Sequence, residues 1–276
     1  MKKCTYCGKE HPDEATACSI DQQPLVSSDP AQAEEVQETD HSATPSGTGF
    51  IDFRCPACGK DVSFPDHWVG TVQECLWCSR IMVVPPASAE VGREVHLALH
   101  TTRLILRRFR IGDEKDLFEI MGDADTFRYL AWESMDEEGI ATWVQRDEQA
   151  RLLDPNTYMY FGLELLDSSK LIALIAFRYE GQETRQGTFT VIVNAAFRHQ
   201  GYGTEATLAA LTFAFKELNL RRVSVGCDSR NVPGLKLLER AGLRREGEFI
   251  EDTRIRDHWV NTTWFALLSR EFRVQQ

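Results

Sequence analysis

Asn194-Ala195-Ala196-Phe197-Arg198-His199-Gln200-Gly201-Tyr202-Gly203-Thr204-Glu205-Ala206 decides the reading of this chain. The apolar run Thr188–Val193 before it alternates as a strand does, and the run after it (Ala206, Leu208, Ala209, Leu211, Phe215, Leu218) has helical spacing. A strand therefore enters a glycine-containing turn that opens a helix. Gly201 and Gly203 remove side chains where a backbone must approach a ligand. The N–H groups of Tyr202 and Thr204 in the first helical turn face outward with the positive end of the helix dipole. Arg198 adds a positive charge, with His199 and Gln200 between it and the glycines. A diphosphate fits such a turn.

Around this stretch, strands and helices alternate from about residue 99 to the end. Arg103–Phe109 reads as a strand, Asp113 as the cap of a helix to about Met121, and 136–153 as a helix on Ile140, Trp143, Val144, Ala150 and Leu153. Tyr158–Leu166, Leu171–Tyr179 and Thr188–Ala195 read as three meandering strands. Arg222–Cys227 reads as a strand and Val232–Arg240 as a helix ended by Gly242. Leu243–Arg256 and Trp259–Ser269 close the chain as a strand pair. That order predicts an α/β domain with a mixed, largely antiparallel sheet flanked by helices.

Upstream the composition changes. Of eight cysteines, seven lie in the first 78 residues: Cys4, Cys7, Cys18, Cys55, Cys58, Cys75 and Cys78. Two Cys-x-x-Cys-Gly-Lys knuckles, at Cys4 and Cys55, form an internal repeat. Cys55-x2-Cys58 and Cys75-x2-Cys78 give four thiolates in two knuckles, a closed tetrahedral set suited to a structural Zn²⁺. Cys4, Cys7, Cys18 and Asp21 form a second set, in which His11 competes with Asp21 for the fourth position. The expected layout is a zinc ribbon over 1–25, an acidic flexible linker over 26–50, and a four-cysteine ribbon over 51–86. A linker over 87–98 and the α/β domain over 99–276 follow. On this layout residues 99–276 fold without the ribbons.

Residues 1–98 hold 7 Lys/Arg against 15 Asp/Glu, and the whole chain carries −11. Such a surface repels phosphate backbones and disfavours nucleic acid as a partner. No apolar run is long enough to cross a membrane, and the N-terminus lacks a signal-peptide core. With thiols placed for metal, the expected compartment is the cytoplasm.

Arg-x-x-Gly-x-Gly followed by Thr-Glu-Ala resembles the acetyl-CoA motif of the GCN5-related N-acetyltransferases, the GNAT family. Asn231-Val232-Pro233-Gly234…Leu238-Glu239-Arg240-Ala241-Gly242-Leu243 resembles a second landmark of the RimJ/RimL-like, ribosomal-protein acetyltransferase branch. Thr102–Arg107 and Arg256–Val260 fit that branch too. The resemblance spans roughly 100–272. It implies a GNAT fold, acetyl-CoA as co-substrate and an amine acceptor. It implies that the backbone around Val193 pairs with the pantetheine arm, and that Asn231 bonds the pantetheine or orders a catalytic water. The chain departs from the pattern at Gly234 (usually Ser), Ala195 (often Pro) and Leu238, where many members carry a Tyr acid. Thr188–Val193 holds no Glu base, so acid and base stay unassigned. His199, Glu251, Asp252 and His258 are further polar candidates, and Trp132 and Trp143 candidates for the acceptor pocket. Cys227 is read as a small buried hydrophobe.

The expected activity is acetyl transfer by direct amine attack, with a protein N-terminus as first acceptor. The alternative is a weakly catalytic scaffold whose ribbons dock a protein partner.

Overall fold

The structure, a computed structural model, describes residues 2–3, 10–11, 49–149, 158–180 and 184–273. The chain divides into two compact units, Met1–Ser46 and Gly47–Gln276. In the first, β1 (Lys2–Lys3) pairs antiparallel with β2 (Glu10–His11). The expected metal set Cys4, Cys7, Cys18 and Asp21 lies outside the described residues, as do 26–48 of the expected linker.

The second unit begins with the four-cysteine module. Alternating burial pairs β3 (Phe50–Arg54) with β4 (Asp61–Pro65) over Ile51, Phe53, Val62 and Phe64. β5 (Val72–Glu74), β6 (Ile81–Val83) and β7 (Arg93–Glu94) make a three-stranded sheet. β6 reads Ile81-Met82-Val83 and runs on into Val84, with all four buried. A strand turns alternate side chains to opposite faces. Met82 and Val84 join the core of the module, while Ile81 and Val83 join the core of the large domain, with Val72 and Val95.

The large domain is an eight-stranded sheet in the order β14-β15-β13-β12-β11-β10-β9-β8. Its strands are β8 (Leu99–His100), β9 (Leu104–Arg108), β10 (Tyr158–Leu165), β11 (Leu171–Tyr179) and β12 (Gln186–Val193), then β13 (Arg222–Asp228), β14 (Arg244–Ile255) and β15 (His258–Leu268). Every pairing is antiparallel except β12 with β13. Helices α1 (Glu114–Met121) and α2 (Glu137–Gln149) bury Leu117, Ile120, Ile140 and Val144 in a cluster with Leu174 and Ile192. Helices α3 (Tyr202–Thr212) and α4 (Val232–Arg240) flank the other core, which holds Phe161, Phe177, Phe213 and Val223. α3 ends in a π turn over Phe213–Glu217, shorter than its apolar run predicts.

Two expectations change. Asp113 stands at the start of α1 but its side chain makes no cap bond. Instead it takes both Nη groups of Arg107, at 2.7 and 2.8 Å, while Arg107 Nε donates to Glu164 at 2.7 Å. All three side chains are buried or nearly so, and a buried guanidinium requires such partners. The 87–98 stretch, expected as a linker, carries β7 and the buried Val95. Glu217 accepts from Arg93 Nη1 (3.3 Å) and His96 N (2.9 Å), and Asn219 Nδ2 donates to the Gly70 carbonyl at 2.6 Å. Module and large domain thus share one core, and the division of the chain falls at Ser46/Gly47. A short polar stretch reads as linker because its partners are over a hundred residues distant in sequence.

Candidate functional site

β12 pairs with β13 only at Gln186↔Arg222 and Gly187↔Val223, and the two strands then diverge. The opened edge of β12 ends at Asn194, buried, whose Nδ2 reaches Glu119 and whose Oδ1 accepts from Ala196 N at 3.0 Å. That bond starts a 3₁₀ turn, Ala195–Phe197, and His199 (φ 62°) and Gly201 (φ 85°) bring the chain round into α3. A positive φ at Gly201 is one that a β-carbon would strain. Gly203 has no such need. A β-carbon there would lie 3.5 Å from Leu237 and 3.8 Å from Val193, ordinary contact, so its bareness leaves room for something else.

A cleft of about 720 Å³ runs from this turn along the splayed strand. It brings together Val193, Arg198, His199, Gly201, Gly203, Thr204 and Asn231 from the sequence reading. The exposed Gln200 and half-buried Tyr202 lie in the same turn but not in the cleft wall. Segment 125–130 closes one side, and Val232–Gly234 with Lys236 and Arg240 the other. In a chain of charge −11, this wall carries Arg128, Arg198, Lys236 and Arg240 against one carboxylate, Asp125, which is itself paired to Arg128. The cleft suits a phosphorylated ligand.

The expected residues do different work from one another. Arg198 does not simply offer charge: its Nε donates to the Val193 carbonyl (3.0 Å) and its Nη2 to Thr126 Oγ1 (2.8 Å). It ties the strand end to the segment across the cleft. Asn231 caps α4, its Oδ1 accepting from Gly234 N at 3.1 Å, which leaves its amide NH₂ beside the cleft. A β-carbon on Gly234 would stand 2.6 Å from that NH₂ and 3.1 Å from Cys227 Sγ, so the Asn231 side chain crowds this position most and Cys227 adds to it. Leu238 is core. Burial and the Asp228 carboxylate push the Cys227 thiol up to about 12, which excludes it as a nucleophile at neutral pH. Glu251, Asp252 and His258 are exposed on the β14–β15 pair, outside the cleft. Trp143 packs on Phe109 and Tyr160, and Trp132 on Tyr158, all away from the cleft wall.

Sequence reasoning missed Tyr129 and Thr126, because a short 3₁₀ segment has no periodicity to find. It also missed Glu205, which accepts from Thr101 Oγ1 (2.6 Å), Arg103 N (2.8 Å) and Arg103 Nε (2.7 Å). Burial acts to raise the Glu205 carboxyl, but these three donors outweigh it and hold it below the usual range. A depressed carboxyl stabilises the fold above its unfolded pKa of about 4.3 and loses that contribution as pH falls through the folded value. Glu205→Gln is therefore expected to cost about 1–3 kcal/mol at pH 7 and less toward pH 3, by urea titration across that range. An equal cost at both ends would refute the charge argument.

The four-cysteine set is assembled. The Sγ atoms of Cys55, Cys58, Cys75 and Cys78 lie within 4.8 Å of one another, with 3.8 Å between Cys55 and Cys78 and between Cys58 and Cys75. Tetrahedral bonds of about 2.3 Å to zinc separate sulfurs by about 3.8 Å. The knuckles match: Gly59 N to Cys55 O and Ser79 N to Cys75 O are both 2.9 Å, and so are Cys55 N to Lys60 O and Cys75 N to Arg80 O. Gly59 and Ser79 take the same left-handed turn, φ 71° and 55°. The donor set and spacing fit zinc, with all four positions filled by protein.

Residues 103–244, just over half of the chain, match the family described as Acetyltransferase (GNAT) domain. The N-acetyltransferase YnaD of Bacillus subtilis, itself uncharacterised, is 28% identical over 173 residues, 62% of this chain and 97% of that protein. A solved GNAT-family acetyltransferase from Bacillus anthracis superposes with TM-score 0.57 at 25% identity, over 63% of this chain and 99% of that one. The spermidine N-acetyltransferase of Vibrio cholerae, solved with CoA and spermine, has the same fold at TM-score 0.55 and 19% identity, over 62% and 98%. With the splayed strand, the left-handed glycine turn and the basic cleft, these matches show that the chain belongs to the GNAT family of acetyl-CoA-dependent N-acetyltransferases.

Proposed function

We propose that this chain acetylates the α-amine of a protein or peptide N-terminus, as the RimJ/RimL-like landmarks suggest. The carrying observation is the cleft wall. Among the described residues it offers cations for the phosphates of acetyl-CoA, its one carboxylate, Asp125, is engaged with Arg128, and Asp228 in the gap between the splayed strands is engaged with Arg230. Only a neutral amine attacks a thioester. An α-amine of pKa about 7.8 is neutral in roughly one molecule in seven at pH 7, and a lysine of about 10.4 in roughly one in 2,500. A cleft without a free carboxylate base favours the first by a few hundredfold, about 3.5 kcal/mol, before any positioning.

In this reading the N–H groups after Gly201 hold the diphosphate, β12 around Val193 pairs with the pantetheine, and the amine enters between the splayed strands. Asn231 has its amide NH₂ free to orient a water or the thioester arm. The amine nitrogen bonds to the carbonyl carbon, the carbon–sulfur bond breaks, and the amine proton leaves through water as coenzyme A departs. Cys55, Cys58, Cys75 and Cys78 would hold a structural zinc ion that takes no part in transfer. Cys4, Cys7, Cys18 and Asp21 are proposed as a second such set, and the modules as sites for a protein partner.

Two peptides test the acceptor, one with a free N-terminus and no lysine, the other N-terminally blocked with one lysine. Coenzyme A release at pH 7 is expected to be faster with the first by tenfold or more. Faster release with the blocked lysine peptide would overturn the assignment.

A further inference from the structure

The diphosphate turn has a second guanidinium beside it. Arg103, on the segment entering β9, is pinned there on three sides. Its Nε donates to Glu205 Oε2 at 2.7 Å, its Nη1 donates to the Gln200 carbonyl at 3.1 Å, and its guanidinium carbon lies 4.1 Å from the Tyr202 ring centroid. Glu205, Gln200 and Tyr202 all belong to the turn or the first helical turn after it. The remaining nitrogen, Nη2, lies 3.3 Å from where a β-carbon on Gly201 would be. The side chain is 41% exposed and stands outside the lining of the cleft.

Arg198, in the cleft wall, bonds Val193 through Nε and Thr126 through Nη2, which leaves its Nη1 as Arg103 leaves its Nη2. We propose that Arg103 binds the diphosphate of acetyl-CoA alongside Arg198, through Nη2, at the gap that Gly201 leaves. The proposal rests on acetyl-CoA binding at this turn. Glu205 holds Thr101 and the Arg103 backbone through Oε1 and Arg103 Nε through Oε2, and the ion pair sets Nη2 toward Gly201. Arginine suits the place because a planar fork can hold a carboxylate with one edge and a phosphate with the other. The same contacts prefix the turn: Arg103 ties the Gln200 carbonyl to the first turn of α3, so less ordering remains when the ligand arrives.

The test is equilibrium binding to the full chain, by calorimetry or ligand-observed NMR, of three probes. Acetyl-CoA carries both the diphosphate and the adenosine 3′-phosphate. Its 3′-dephospho form keeps only the diphosphate, and S-acetylpantetheine has neither. Arg103→Met is expected to weaken acetyl-CoA and the dephospho form alike, by about tenfold, the order of one charge-assisted hydrogen bond. S-acetylpantetheine binding should not change. Equal loss on all three probes would mean a merely structural role, and loss on acetyl-CoA alone would put the contact at the 3′-phosphate. Either result overturns the proposal. Should Arg103→Met fail to fold, Arg103→Lys carries the test. It keeps the charge on a flexible stem and loses the fork, so a smaller loss, about threefold, should again spare S-acetylpantetheine. Failure of the parent chain to bind acetyl-CoA or its dephospho form would instead defeat the cleft reading, and with it the premise.

Discussion

A chain cut to residues 99–276 is expected to aggregate or to lack a cooperative melt, although it keeps the whole resemblance to the family. The cut removes Val72, Ile81, Val83 and Val95, each under a tenth exposed, from the core of the large domain. Burying one such side chain is worth about 1.5–3 kcal/mol, so the four together contribute about 6–12 kcal/mol. A domain of this kind has about 5–15 kcal/mol of net stability. The bonds of Glu217 and Asn219 to the module go as well. The metal set acts on the same transition. The sulfurs of Cys55 and Cys75 are buried beside Met82 and Val84, on the strand whose other face meets the large domain. Chelation or Cys75→Ala is therefore expected to lower the melting temperature of the entire second unit, not of a separate small transition. Differential scanning calorimetry of the full chain, its chelated form and the 99–276 fragment measures this. A soluble fragment melting within a few degrees of the full chain would show that the shared core contributes little.

Gly201→Val should abolish useful acetyl-CoA binding while leaving the chain folded. At φ 85° a β-branched residue is held in a conformation that costs about 1–3 kcal/mol, and the turn relaxes by leaving it. The new side chain would also approach Arg103 Nη2, 3.3 Å from its β-carbon, and cover the N–H groups that follow. The two effects together predict a loss of a hundredfold or more, read as the dissociation constant for acetyl-CoA. The turn is at the surface, so the melting temperature should fall by only a few degrees. A Gly201→Val chain that binds acetyl-CoA like its parent would put the diphosphate elsewhere.

Much of this protein is written in local patterns. The apolar runs of β10 to β12, the helical spacing of α2 and α3, and the two Cys-x-x-Cys knuckles depend on neighbours a few residues away, and they were legible as such. Gly201 was legible for the same reason, since a left-handed turn before a helix is a local demand. The four-cysteine set could be named from spacing because each knuckle builds its own half of the site.

Direction and sharing were not local, and only the tertiary structure decided them. Nothing near Arg198 in sequence says that its guanidinium bonds Thr126, and nothing near Arg103 says that it reaches Gln200 and Glu205. The four apolar residues 81–84 lie buried on one strand, and the tertiary structure decides which core lies on each face. The composition of 87–98 reads as a linker because the hydrogen bonds that Arg93 and His96 donate to Glu217 leave no mark on the sequence around the donors. The sequence by itself determined the strand–turn–helix that borders the cleft, the order of the elements around it and the four thiols. That Arg103 is held at the Gln200–Glu205 turn, and that the cysteine module belongs to the large domain's own core, arise from contacts between segments about a hundred residues apart. Such contacts exist only once the sheet has closed.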